Sequence, residues 1–153
     1  MQDIIERSLE LPHPPSRVWR ALTDPARFGA WFGVAMEGPF ALGQPVVGRF
    51  TIPGHEHVRF ACEVVEWIPE TVFAWRWSPL DPEKGADPLS GPCTLVRFEI
   101  APTAAGARLT VVESGFAALP VNRAQEALRS NTRGWDFQFG NIERFLAGES
   151  ADV

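Results

Sequence analysis

Apolar positions along this chain repeat with two different periods, and the change of period divides it. From Asn122 to Leu146, Leu128, Trp135, Phe139, Ile142 and Leu146 recur at gaps of seven, four, three and four, which places them on one face of an α-helix of about seven turns. Asn122 with Gln125 three residues on reads as a capping box that starts this helix. Upstream the period is mostly two. Ile4 to Leu11 alternates imperfectly, as an edge-type strand does. Val46 to Ile52 and Val58 to Trp67 read as strands, the second with Val58, Phe60, Cys62 and Val64 on one face and Arg59, Ala61 and Glu63 on the other. In Thr71 to Ser78 the large aromatics Phe73, Trp75 and Trp77 share a face. Leu95 to Ile100 and Arg108 to Ser114 form a last hairpin about the turn-rich Pro102 to Gly106.

Two short helical runs interrupt the strands. Val18, Trp19 and Leu22 stand at helical spacing, and Asp24-Pro25 then caps a second helix carrying Phe28, Trp31 and Phe32. Gly33 to Pro45 is expected to be irregular around one short strand, and the proline-rich Pro79 to Pro92 to be an exposed connection. The order is strand, two short helices, five or six antiparallel strands and a long helix. This is an α+β arrangement in which a curved sheet grips the carboxy-terminal helix. Gly134 and Gly140 inside that helix each cost roughly 1 kcal/mol relative to Ala, so a bend or the close approach of sheet side chains or a ligand is expected there.

Composition narrows the reading. A chain of 153 residues buries roughly 68–70% of its unfolded surface and needs neither disulfide nor metal to fold, so one domain with a core from about residue 4 to 146 is expected. Cys62 and Cys93 form no CxxC or Cys/His cluster and read as free thiols of a reducing compartment. No segment approaches 18 uninterrupted apolar residues, so a cytoplasmic protein without membrane insertion is expected. The net charge is −5, Lys84 is the sole lysine and the arginines are scattered, which disfavours nucleic-acid binding. Eleven Phe, six Trp and no Tyr leave no phenol to act as an acid.

Several stretches resemble a known family. Val18-Trp19-Arg20-Ala21-Leu22-Thr23-Asp24-Pro25 with Trp31-Phe32, and Cys62 to Pro69 followed by Phe73-Ala74-Trp75, resemble the START-like helix-grip superfamily, also called SRPBCC. Within it, Val112-Glu113-Ser114-Gly115-Phe116 and Asn131-Thr132-Arg133-Gly134-Trp135 resemble the branch named for activators of the heat-shock protein 90 ATPase. The resemblance runs from about Ile4 to Leu146. It implies a sheet of six or seven strands wrapped round the last helix, with a cavity between them that in many relatives holds an apolar small molecule. It implies no single chemistry, since the superfamily contains carriers, aromatic polyketide cyclases and domains without known ligand. The extra amino-terminal domain of the true eukaryotic co-chaperones has no counterpart in these residues, so a chaperone partner is not the expected one.

The candidate binding set is Trp31, Phe60, Trp75, Trp77, Phe98, Phe116, Trp135 and Phe139 for apolar contact, with Glu113 and Asn131 for orientation. Each aromatic taken singly reads sooner as core, but an excess of rigid indoles, each wanting a partner for its N–H, favours an open space. Leu109, Val111 and Glu113 share a face, so if the first two point inward the carboxyl does too. Burial favours the neutral form of a carboxyl and would make Glu113 a candidate general acid or an orienting acceptor. The structural alternative is a carboxylate that caps the turn before Phe116 or pairs with an arginine such as Arg133. His55-Glu56-His57 puts two imidazoles on one side of an extended chain without an assignable third ligand, and reads as an exposed loop rather than a metal site. No GxSxG, phosphate loop or Cys–His pair is present.

Three functions follow as expectations: a domain binding a hydrophobic or aromatic molecule without cofactor or metal, a cyclase- or hydrolase-type enzyme using Glu113 in the same cavity, and a co-chaperone-like interaction module acting through its surface. Dimerisation through an exposed strand edge is compatible with the pattern, though no residue demands it.

Overall fold

The computed structural model describes residues 3–79 and 87–148. In chain order these form β1 (Ile4–Leu11), α1 (Pro15–Thr23), α2 (Pro25–Phe32), β2 (Val34–Met36), β3 (Pro45–Phe50), β4 (Arg59–Ile68), β5 (Val72–Trp77), β6 (Thr94–Thr103), β7 (Gly106–Ser114) and α3 (Val121–Gly148), with a 3-10 turn at Phe116–Ala118 before the last helix. The strands make one antiparallel, curved, seven-stranded sheet in the order β1-β7-β6-β5-β4-β3-β2, with the long helix against it. The α+β expectation holds, with the larger of the two strand numbers. Every pairing except β1 with β7 joins strands that follow one another in sequence.

Local chemistry sets the short helices. Asp24 is extended (φ −78°, ψ 120°) between α1 and α2, and its carboxylate accepts the Arg27 N–H at 2.9 Å while Pro25 occupies the first helical position; the cap satisfies one of the free N–H groups of the first turn. Gly33 closes α2 with a left-handed φ of 83°. Gly29 is required for a different reason: a Cβ there would lie 2.2 Å from the Val34 carbonyl oxygen, so α2 rests directly on the backbone of β2.

β4 contains a feature that its alternation did not disclose. Its register with β5 shifts between Val64 and Glu66, so that Val64 faces Trp75, Glu66 faces Ala74 and Trp67 faces Phe73. The extra residue, Val65, is a bulge that reverses the facing of everything after it. Trp67 is thereby brought onto the concave face, edge-on to Trp19 at 5.3 Å and to Phe73 at 5.6 Å, and Glu66 turns outward to pair with Arg97 at 2.5 Å.

The long helix begins two residues earlier than its capping pattern suggested, at Val121. The Pro120 carbonyl accepts from Arg123 and Ala124, which makes Asn122 a residue of the first turn and not the cap. Its buried face is Ala124, Ala127, Trp135, Gln138, Phe139, Ile142 and Leu146, with Leu128 partly buried against the core. Gln138 is buried because its amide donates to the Phe32 carbonyl at 2.8 Å and accepts from Asn141, a tie between α3 and the end of α2 that the helical period cannot reveal. Among the described residues no helix is long and apolar enough to cross a membrane.

Candidate functional site

The register of β7 turns Glu113 inward. It lies opposite Val96 on β6 and Ile5 on β1, in the same facing as Leu109 and Val111, and none of its surface is exposed. An isolated carboxylate in such a place would be strongly unfavourable, so its surroundings must supply donors. Four side chains do so in five hydrogen bonds: Trp77 Nε1–H (2.9 Å) and Thr94 Oγ1–H (2.5 Å) to Oε2, Trp135 Nε1–H (2.8 Å) to Oε1, and the Asn131 amide to Oε1 (2.9 Å) and Oε2 (3.0 Å). A carboxylate offers about four lone-pair sites, so none remains for a further donor. Thr94 stands beside Glu113 on β6 and directly opposite Trp77 on β5, while Asn131 and Trp135 are one turn apart on α3. The group thus ties three adjacent strands to the middle of the long helix. Neither sequence alternative for Glu113 describes it: the carboxylate bonds no residue of the turn before Phe116, and no arginine is among its partners.

The two indoles held by Glu113 form part of a half-open cleft of about 680 Å³ between the β3–β4 connection, the end of β5 and the middle of α3. Phe32, Phe50, Phe60, Trp77, Trp135 and Phe137 supply its aromatic wall. The Trp77 and Trp135 rings stand 6.0 Å apart at 33°, and Phe32 meets each of them at 6.2 Å. Asn131 has to turn Nδ2 toward the carboxylate, since its carbonyl oxygen there would oppose two acceptors. Its Oδ1 then has no hydrogen-bond partner among the described residues and stands on the cleft wall.

Of the sequence-derived set, Phe60, Trp77, Asn131 and Trp135 stand on this wall, with Glu113 directly behind the two indoles. Trp31, Trp75, Phe98, Phe116 and Phe139 are buried in the core instead. The indole argument separates along the same line. Trp31 donates to the Ala21 carbonyl at 2.7 Å, whereas the Trp75 N–H is buried with no partner among the described residues and is enclosed by rings such as Phe28 and Phe60 at 5.7 and 5.9 Å. An indole surplus is therefore accommodated here by aromatic packing as well as by a cleft. Sequence reasoning missed Thr94, Phe50, Phe137 and Gln138. Thr94 could have been found from the facing of Val96 and Phe98 continued two residues back along the strand.

Gly134 lies on the cleft wall, and a Cβ there would meet nothing within 4 Å. Among the described residues no sheet side chain presses on it, so the sheet does not supply the close approach expected beside this glycine. Gly140 faces the Arg144 guanidinium, 3.2 Å from a would-be Cβ. His55 and His57 are exposed, as expected for a loop, yet both border the cleft. Glu56 between them is fully exposed, and the backbone N–H groups of Glu56 and Gly54 hold its carboxyl below the usual carboxylate range. Among the described residues no group of three or more His, Cys, Asp or Glu side chains is placed to hold a metal ion.

Comparison with known proteins agrees with this architecture. The fold is similar to that of a protein from Mesorhizobium loti (22% identity, TM-score 0.75, covering 96% of this chain and 98% of that one) and of a protein from Nitrosomonas europaea (20%, 0.76, 97% and 96%). It is also similar to DynU16, a protein in the dynemicin biosynthetic locus, at 26% identity and a TM-score of 0.75, covering 97% of this chain and 48% of DynU16. None of the curated protein sequences matches the chain. The model of the family described as Activator of Hsp90 ATPase homolog 1-like protein matches residues 12–147, and with its seven-stranded sheet around a long last helix the chain belongs to this family, an Aha-type branch of the START-like helix-grip superfamily.

Proposed function

We propose that this protein binds a small, largely apolar or aromatic molecule in the cleft between the sheet and α3. The observation that carries this reading is the cleft itself: about 680 Å³ with six aromatic side chains on its wall, within the range of small-molecule sites, and with two of its indoles fixed by a fully buried carboxylate. A ligand that buries about 200 Å² of apolar surface gains roughly 5 kcal/mol before the cost of association. Glu113 acts as a positioning residue. Its acceptor sites are filled, so no proton transfer to or from a ligand is assigned to it. The likeness to DynU16, a protein in the dynemicin biosynthetic locus, supports a small-molecule role over a chaperone partner.

A thermal-shift screen against fatty acids, flavonoids and polyketide-like aromatics, read together with tryptophan fluorescence, tests the proposal. A ligand at a hundred times its Kd adds about 2.7 kcal/mol of stability, or roughly 5–11 °C in a chain of this size. Gly134→Leu, which places a side chain into the cleft, should remove both the shift and the change in emission. A shift that survives Gly134→Leu, or none across the panel, would sink the reading.

A further inference from the structure

Resting on that reading, we infer that the cleft takes an anionic aromatic ligand, its rings against Trp77 and Trp135 and its acid group at the mouth beside Arg59. The chain as a whole carries a net charge of −5, yet the ionisable side chains on the cleft wall are His55, His57 and Arg59, with no carboxylate among the described lining residues. A local charge opposite to that of the whole molecule points to what the site must attract. The nearby acids are otherwise engaged: Glu56 accepts from the Gly54 N–H at 2.7 Å, Glu63 holds Arg76 at 2.7 Å, Asp87, which borders a neighbouring hollow with Arg59, accepts from the Leu89 N–H at 2.9 Å, and Glu113 lies buried behind the indoles with its acceptor sites filled.

The strands supply a second, independent observation. Arg59 lies directly across from Arg49 on β3. Like charges facing each other across antiparallel strands are destabilising, and neither arginine has an ion-pair partner among the described residues. Unrelieved conflicts of this kind concentrate where a site needs them, and a bound anion relieves this one. Deeper in, the indole N–H groups are already given to Glu113, so neither indole is free to hold an acid group. The interior offers instead the acceptor Oδ1 of Asn131, suited to a ring hydroxyl or amine. The ligand therefore enters rings first.

Two fluorescent probes with the same ring skeleton separate the terms: 1-anilinonaphthalene-8-sulfonate and its uncharged parent, N-phenyl-1-naphthylamine. The purified protein at low salt should bind the sulfonate about fivefold more tightly than the parent, the factor equivalent to ~1 kcal/mol, and high salt should erase the difference. Arg59→Gln should abolish the preference, bringing the Kd of the sulfonate to that of the parent measured on the same variant. Arg108→Gln, which removes the same charge from β7 at the far side of the sheet, should retain it. Equal binding of the two probes, or equal loss in Arg59→Gln and Arg108→Gln, overturns the anionic assignment and leaves the cleft reading standing. Failure of both probes to bind the unmodified protein removes the cleft reading as well.

Discussion

Replacing Glu113 by Gln changes one atom of a group whose partners are almost all donors. If the new Nε2 takes the place of Oε1, it opposes Trp135 Nε1–H and the Asn131 amide; in the place of Oε2 it opposes Trp77 Nε1–H, Thr94 and Asn131. Thr94 can rotate its hydroxyl to accept, and Asn131 can present its oxygen, but an indole N–H only donates. Either placement leaves one indole facing an amide N–H. The second is less costly, because Trp77 is half-buried and can turn to water whereas Trp135 is 2% exposed. Losing a hydrogen bond to a charged acceptor removes about 1.5–3 kcal/mol and an orphaned donor adds about 1–3 kcal/mol, partly offset because a charge no longer has to be desolvated. Glu113→Gln should therefore destabilise by about 2–4 kcal/mol, lowering Tm by roughly 5–15 °C. Urea unfolding followed by circular dichroism and tryptophan emission measures this directly, with an unchanged m-value showing that the unfolding reaction is the same. Combining Glu113→Gln with Trp77→Phe removes the opposed N–H, so the two substitutions together should cost about 1 kcal/mol less than their sum. A loss below about 0.5 kcal/mol in the single variant, or strict additivity in the double, would refute the reasoning.

Other substitutions test the backbone and the thiols. Gly134→Ala fills open space on a helix, so it should stabilise by about 0.5–1 kcal/mol in thermal or urea unfolding. Gly29→Ala should do the reverse, costing roughly 2–3 kcal/mol despite the better helix propensity of Ala, because the added methyl meets the Val34 carbonyl; unchanged stability would show that α2 can lift off β2. Burial pushes the Cys62 thiol up, while Cys93 is only half-buried, within 3.4 Å of the Arg76 guanidinium. Ellman's reagent should therefore titrate Cys93 alone in the folded protein and both thiols in urea; rapid modification of Cys62 without denaturant would contradict its placement.

How far the sequence discloses this molecule depends on the range of the interactions involved. Asp24-Pro25 marks a helix start by its own chemistry, and the alternation Leu109, Val111, Glu113 shows the inward carboxylate because a strand's facing is local. The bulge at Val65 leaves no such mark. It is fixed by which residues of β4 meet Phe73 and Trp75, and reading past it as regular alternation puts Trp67 on the wrong face. The capping signal at Asn122 was overruled by Pro120, whose carbonyl accepts the first helical bonds. Separating Phe60, Trp77 and Trp135 on the cleft wall from Trp31, Phe98 and Phe116 in the core is harder still. All are large, apolar and inward, and only the distance between sheet and helix at each level decides which of them meet a gap.

The sheet order also dictates a sequence of assembly. Five of the six pairings join neighbouring strands, and the exception, β1 with β7, brings together residues about a hundred positions apart. Closing a loop of that length carries an entropic penalty of roughly 4 kcal/mol, which the local hairpins avoid. Strand β1 is then the element that joins last and leaves first, and its amide protons should exchange with solvent ahead of those between β5 and β6. The strands that form the cleft wall, β3 to β5, belong to the run of successive hairpins on the other side of the sheet. Their register is set before the amino terminus finds its partner, so fraying at β1 can come and go without disturbing it.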